Sequence, residues 1–139
     1  MTHAKIKTLH SSDSLEKMIS ILENDGCIVI EGLLEPHDLK ALQKDMQKSF
    51  DKTTDCQGDF YGYHTKRIGA LFSKSEVCQK MATLPQILSI MDSFLLKGCE
   101  QYQINLTQGI SIGSGEQTQI MHQDDPMFPF MHSEHEAMI

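Results

Sequence analysis

The hydrophobic period of this chain changes at residue 99, and no other feature constrains the fold as much. Before that point apolar residues recur every three or four positions. After it they recur every second one. In EQYQINLTQ, Tyr102, Ile104 and Leu106 alternate with Gln101, Gln103, Asn105 and Thr107. A period of two is that of a strand with one apolar face, here backed by an amide-rich one. The glycine turn ISIGSG follows, and EQTQIMHQDD then resumes the extended pattern. The expected order is helices first and sheet last. The sheet should start after residue 98, with strands at 101–107 and 117–123. That is an α+β class.

Upstream, Leu15, Met18, Ile19 and Leu22 follow the i, i+3, i+4, i+7 spacing, and Gly26 marks a stop. CIVIEG, residues 27–32, is a β-branched run ending in Gly and predicts a buried strand. Pro36 fits the first turn of a second helix. Its apolar face would be Leu39, Leu42, Met46 and Phe50, with Lys40, Lys44 and Lys48 on the wet side. Residues 51–65, DKTTDCQGDFYGYHT, predict a long polar loop, and such loops in compact domains are often functional. Ser73 and Glu76 have the capping-box spacing, which predicts a short helix through Met81. Pro85 restarts a helix with Ile87, Leu88, Met91, Phe94 and Leu95 as its apolar face, closed by Gly98. Residues 1–11 read as a frayed leader.

At 139 residues the chain is about one domain long, and a single domain over 1–139 is expected. A net charge of −7 leaves no basic face for phosphates, which argues against a general nucleic-acid binder. No apolar run approaches a membrane span, and the N-terminus does not resemble a signal peptide. Cys27, Cys56, Cys78 and Cys99 show no CxxC spacing. They read as reduced, mostly buried thiols of a cytoplasmic protein. Arg67 is the only arginine, so bidentate recognition of a carboxylate must use it or do without arginine.

The candidate chemistry lies in IMHQDDPMF, residues 120–128. On a strand, residues i and i+2 share a face about 7 Å apart, so His122 and Asp124 can reach one ion. One His and one carboxylate are two-thirds of the facial triad of non-haem Fe(II) oxygenases. In a chain with 7 histidines, one His-x-Asp proves little by itself. Spacing alone reads more simply as an exposed pair beside an Asp- and Pro-rich turn. A rival cluster, His132, Glu134 and His135 in HSEHE, reads as a polar loop. His132 and His135, joined to His122 and Asp124, would make a zinc-type module.

Four stretches in order resemble the phytanoyl-CoA dioxygenase family of Fe(II)- and 2-oxoglutarate-dependent oxygenases. LENDGCIVIEGLLEPHDLKALQKDM is similar to that family's opening helix, "DG-hydrophobic" strand and following helix. TKRIGALFSKSEVCQKMATLPQILSIMDSFL resembles its middle segment, with a basic pair and two short helices. QINLTQGISIGSGEQTQIMHQDD resembles the strand, glycine turn and "Q-x-x-H-x-D" element. FPFMHSEHEAMI resembles the loop that leads to the next barrel strand. The resemblance implies a double-stranded β-helix, a cupin-like jelly roll with helices packed on one sheet. It implies that His122 and Asp124 are iron ligands. It also implies that Gln119 contacts 2-oxoglutarate or supports the site, and that Lys66 and Arg67 reach the co-substrate.

The family pattern also has a distal His and a distal basic residue several tens of positions beyond His-x-Asp, whereas 15 residues follow Asp124 here. The barrel is therefore expected to be incomplete in this chain. The expected function is a dioxygenase that hydroxylates or otherwise oxidises a small organic substrate, truncated before the distal His and inactive alone. The alternative is a non-catalytic remnant that binds a ligand or partner. Neither nucleic acid nor membrane is an expected partner, and open sheet edges favour self-association.

Overall fold

A computed structural model of the chain describes residues 5–122 and 124. Its elements run β1 (Thr8–His10), α1 (Leu15–Asp25), β2 (Val29–Glu31), α2 (Pro36–Phe50), β3 (Thr65–Gly69), a 3-10 turn (Leu71–Ser73), α3 (Glu76–Ala82), α4 (Pro85–Leu95) and β4 (Gln108–Ile112). The class is α+β, as expected. Among the described residues the strands form two separate two-stranded sheets and no closed barrel.

β1 and β2 pair in parallel, with Leu9 opposite Ile30. Parallel neighbours need a crossover, and α1 supplies it. The Ser14 side chain caps α1 by accepting from the Lys17 N–H at 3.3 Å. Gly26 ends it in the left-handed conformation at φ 74, its N–H donating to the Leu22 carbonyl at 2.9 Å. This is the stop that only glycine adopts without strain. Leu9, Met18, Ile21 and Ile90 form the buried core, with Leu15, Leu22, Ile28, Ile30, Met91 and Phe94 packed around it. α4 therefore lies on α1 and on the small parallel sheet. α2 and α3 are tied by the nearly buried Asp38 carboxylate, which accepts from Lys80 and lies 3.0 Å from His37 Nε2.

Several expectations need correction. The supposed leader contains β1, because Leu9 is buried when Thr8–His10 pairs with β2. A three-residue strand with one apolar residue carries no period to read. The buried strand expected at 27–32 is shorter and lies open, with Val29 43% exposed, since among the described residues only β1 flanks it. The N-cap position of α3 is Ser75 rather than Ser73, and its side chain makes no capping bond. The Ser73 hydroxyl donates to the Ala70 carbonyl inside the 3-10 turn and caps nothing. The thiols are not mostly buried: Cys27 and Cys99 are exposed, and only Cys78 is buried.

The largest correction concerns the sheet. It does not begin after residue 98, and neither 101–107 nor the described part of 117–123 is a strand. A strand needs a ladder partner. β3, which carries the basic pair Lys66–Arg67, pairs instead with Gln108–Ile112, whose last three residues open the expected glycine turn ISIGSG. Gly109 fits there because Ile68 lies opposite, its Cγ1 3.0 Å from where a Cβ would stand. Residues 101–107 are held by side chains instead. The Tyr102 hydroxyl donates to Asp92 at 2.6 Å, and Thr107 Oγ1 accepts from the Leu71 N–H at 2.9 Å. No helix among the described residues is long and apolar enough to cross a membrane.

Candidate metal and co-substrate site

The site is built on the face of the β3–β4 pair. Thr65 lies opposite Ile112, Arg67 opposite Ile110 and Gly69 opposite Gln108. Residues paired across strands share a face, as do residues two apart. Thr65, Arg67, Gln108, Ile110 and Ile112 therefore line one side, and Lys66 and Ile68 the other. The first side is the floor of an open cleft of about 560 Å³. Phe60 and Tyr61 from the α2–β3 loop wall it, and residues 117–122 close the opposite side.

Arg67 is fixed on this floor. Its Nη1 donates to Gln108 Oε1 at 2.8 Å, and its guanidinium carbon lies 5.5 Å from the centre of the Tyr61 ring. Its buried Nε has no hydrogen-bond partner among the described residues. Lys66 does not join it. The strand turns Lys66 to the opposite face, where its ammonium donates to the Phe50 carbonyl at 3.2 Å and satisfies the end of α2.

Glu116 anchors the segment that leads to His122. Its carboxylate accepts from the His64 N–H at 2.6 Å, the Thr65 hydroxyl at 2.8 Å and the Gln117 N–H at 3.0 Å. The His64 amide, followed by Thr65 and Gln117, holds the carboxyl below its ordinary 4.5 despite partial desolvation. A depressed carboxylate stabilises the fold above its unfolded pKa. That contribution is lost as pH falls through the lower folded value. The melting temperature should therefore drop as pH falls below about 4.5, and Glu116→Gln should flatten that acid limb. Melts of both proteins between pH 3 and pH 7, read by circular dichroism, check this. Parallel curves would mean that Glu116 does not contribute.

His122 and Asp124 follow. His122 Nδ1 lies 2.8 Å from the Ile120 carbonyl. That contact makes Nδ1 the N–H donor, so in the neutral ring the lone pair lies on Nε2. Nε2 lies 3.8 Å from Asp124 Oδ1, although no strand carries the two residues. Donors cis to one another on an ion at about 2.1 Å lie about 3 Å apart, so a small closure brings both to one ion. The imidazole and carboxylate fit a divalent metal such as Fe(II). The carbonyl on Nδ1 is the outer contact that orients a ligating histidine. Among the described residues no third His, Cys, Asp or Glu completes a cluster. His132, Glu134 and His135 lie outside the described residues.

Gln119 donates its amide to the Phe60 carbonyl at 2.7 Å, and the Phe60 ring meets the His122 ring edge-on at 5.1 Å between centres. The structure thus brings Arg67, Gln119 and His122 to one cleft, leaves Asp124 at its rim and sends Lys66 elsewhere. Phe60, Tyr61, Gln108 and Glu116 were missed as site residues. A signal for Phe60 and Tyr61 existed in the long loop 51–65. Another for Glu116 existed in the spacing Glu-x-x-Gln-x-x-His.

Residues 22–139 match the phytanoyl-CoA dioxygenase family. A protein named a dioxygenase in Alternaria alternata is 25% identical over 142 residues, covering 94% of this chain and 47% of that protein. A dioxygenase of Gibberella moniliformis is 26% identical over 137 residues, covering 90% and 46%. One from a Cladobotryum species is 22% identical over 138 residues, covering 88% and 45%. The chain spans about half the length of the curated relatives it matches. With more than half of its length matched, including the segment that carries Arg67, Gln119, His122 and Asp124, the chain belongs to the phytanoyl-CoA dioxygenase family.

Proposed function

We propose that the protein is an Fe(II)- and 2-oxoglutarate-dependent oxygenase of small organic molecules, its site set in a cupin-type jelly roll. The observation that carries this reading is the setting of His122. Its Nδ1 lies 2.8 Å from the Ile120 carbonyl and its Nε2 is 3.8 Å from Asp124, an arrangement compatible with an imidazole–carboxylate metal site. The family match and the dioxygenase names of the relatives support the reaction class. When bound, iron with 2-oxoglutarate and dioxygen supplies the oxidising power that replaces C–H by C–OH.

This chain's residues do the holding and shaping. His122 Nε2 and an Asp124 carboxylate oxygen would ligate the metal. Arg67, preset by Gln108 and Tyr61, offers a planar cation to a carboxylate of the co-substrate. Phe60, Ile110, Ile112 and Ile120 give the cleft apolar walls that limit water and accept the hydrocarbon part of a substrate.

The test is succinate release from 2-oxoglutarate with Fe(II) and oxygen, on the protein expressed through its full reading frame. Arg67→Ala should raise the KM for 2-oxoglutarate at least about tenfold, the loss of one charge-assisted contact. An unchanged KM would remove Arg67 from the co-substrate site. Absence of succinate from the unaltered protein would sink the oxygenase reading itself.

A further inference from the structure

Three side chains of one segment, each three residues from the next, touch the same stretch of the α2–β3 loop. Glu116 takes the His64 N–H and the Thr65 hydroxyl. Gln119 reaches the Phe60 carbonyl, and the His122 ring packs on the Phe60 ring. We propose that Glu116 is a positioning residue, whose carboxylate seats residues 116–122 on the Phe60–Thr65 loop and so sets where His122 Nε2 stands. The proposal deepens the oxygenase reading and rests on His122 being a metal ligand.

The surroundings of Glu116 are shaped for this contact. Gly62 sits at φ 89, and a Cβ there would collide with Glu116 Oε2 and the Thr65 hydroxyl. Only glycine lets the loop backbone come this close to the carboxylate. On the other side of His64, the Gly113 N–H donates to the His64 carbonyl at 2.7 Å. A Cβ on Gly113 would lie 2.6 Å from that oxygen. The two chain segments are therefore locked on both polar groups of His64, its N–H by Glu116 and its carbonyl by Gly113. Among the described residues no Lys or Arg forms an ion pair with Glu116. Its acceptor capacity goes to loop N–H and O–H groups, which orient it more tightly than a surface cation does.

From Glu116 the constraint passes along six residues to His122. Gln119, halfway, repeats the attachment to the loop. Releasing Glu116 leaves Gln119 and the Phe60–His122 ring contact to hold the segment alone. His122 then samples several positions relative to Asp124, and the two donors no longer converge on one ion.

The experiment uses the whole chain with Glu116→Ala, Glu116→Gln and, as a stability control remote from the cleft, Asp38→Asn. The His122 ring is followed by NMR, assigned through His122→Ala, and Mn(II) binding by electron paramagnetic resonance. Glu116→Ala should move the His122 ring resonances toward their unfolded positions and weaken Mn(II) binding about tenfold. Glu116→Gln keeps one acceptor oxygen and turns an amide N–H toward another N–H, so it should give a smaller shift in the same direction. Asp38→Asn should lower the melting temperature and leave the His122 signals unmoved. His122 signals unmoved in both Glu116 variants, whatever their melting temperatures, would overturn the positioning role. If Glu116→Ala does not fold, Glu116→Gln decides alone. Mn(II) binding indifferent to His122→Ala would instead remove the metal reading, while the ring signals still report on the seat.

Discussion

In the protein expressed through its full reading frame, Asp124→Ala is expected to abolish turnover, with succinate release falling at least about 100-fold, because a metal's share of transition-state stabilisation is several kcal/mol. His122→Ala should do the same. The two residues should also behave as a unit: the double variant should be little worse than either single one, since a site that no longer holds its ion gains nothing from the remaining donor. Mn(II) titration gives a readout independent of turnover, and each single variant should lower affinity at least about tenfold. His122→Gln separates ligation from packing. It preserves a polar side chain of similar reach against Phe60 but has no imidazole lone pair. Retained turnover in Asp124→Ala, or Mn(II) affinity unchanged in both alanine variants, would mean that the His-x-Asp pair is the exposed, non-ligating pair that its spacing alone suggests.

The reason this pair was hard to read from sequence also explains what else was and was not legible. His122 and Asp124 were placed on a strand because EQTQIMHQDD continues an alternating pattern. The structure shows no strand there and leaves His122 Nε2 3.8 Å from Asp124 Oδ1. Convergence comes from the loop contacts of Glu116, Gln119 and His122, which join residues about 52 to 62 positions apart and leave no local period. The same holds for the ladder. TKRIG has one large apolar residue, and QGISI carries a glycine at its second position, so neither shows the composition of a strand until their pairing buries Ile68. Helices were more legible, because their period is written within one segment. α1, α2 and α4 fall at the expected places, with Pro36 and Pro85 at their starts. The exact stripe was less so. In α4 the most buried residue is Ile90, which the expected face omitted, whereas Leu88, assigned to it, is 37% exposed. In α2 Asp38 is buried where it meets Lys80, and Leu39 is 46% exposed. Four ordered stretches resembling one family carried more about function than any single periodicity, and the match over residues 22–139 supports that weighting.

Met18→Ala should destabilise the fold by about 3 kcal/mol, the middle of the range for emptying a buried methionine site. Met18 has no exposed surface and sits where α1, α4 and the β1–β2 pair meet, in contact with the same cluster as Leu9, Ile21 and Ile90. Its sulfur also lies 3.3 Å from the Gln86 amide, whose N–H donates at 3.0 Å to the Ser11 carbonyl. Truncation therefore loses apolar burial and loosens the link that seats α4 beside β1. With a urea slope of about 1.5–2 kcal/mol/M for a domain this size, the unfolding midpoint should fall by about 1.5–2 M. Leu39→Ala, at a position the helical period also marks as apolar, should cost less than about 1 kcal/mol, since that side chain is already half in water. The pair of variants separates periodicity from burial as the source of stability. The cleft lies on the other sheet, so below the transition Met18→Ala should leave the His122 ring signals and Mn(II) affinity as they are. A midpoint lowered equally by both variants would mean that Met18 does not sit at the centre of the core. Loss of Mn(II) affinity in folded Met18→Ala would mean that the parallel sheet and the cleft are one mechanical unit, and the seat of His122 would then have to be traced through α4 as well as through Glu116.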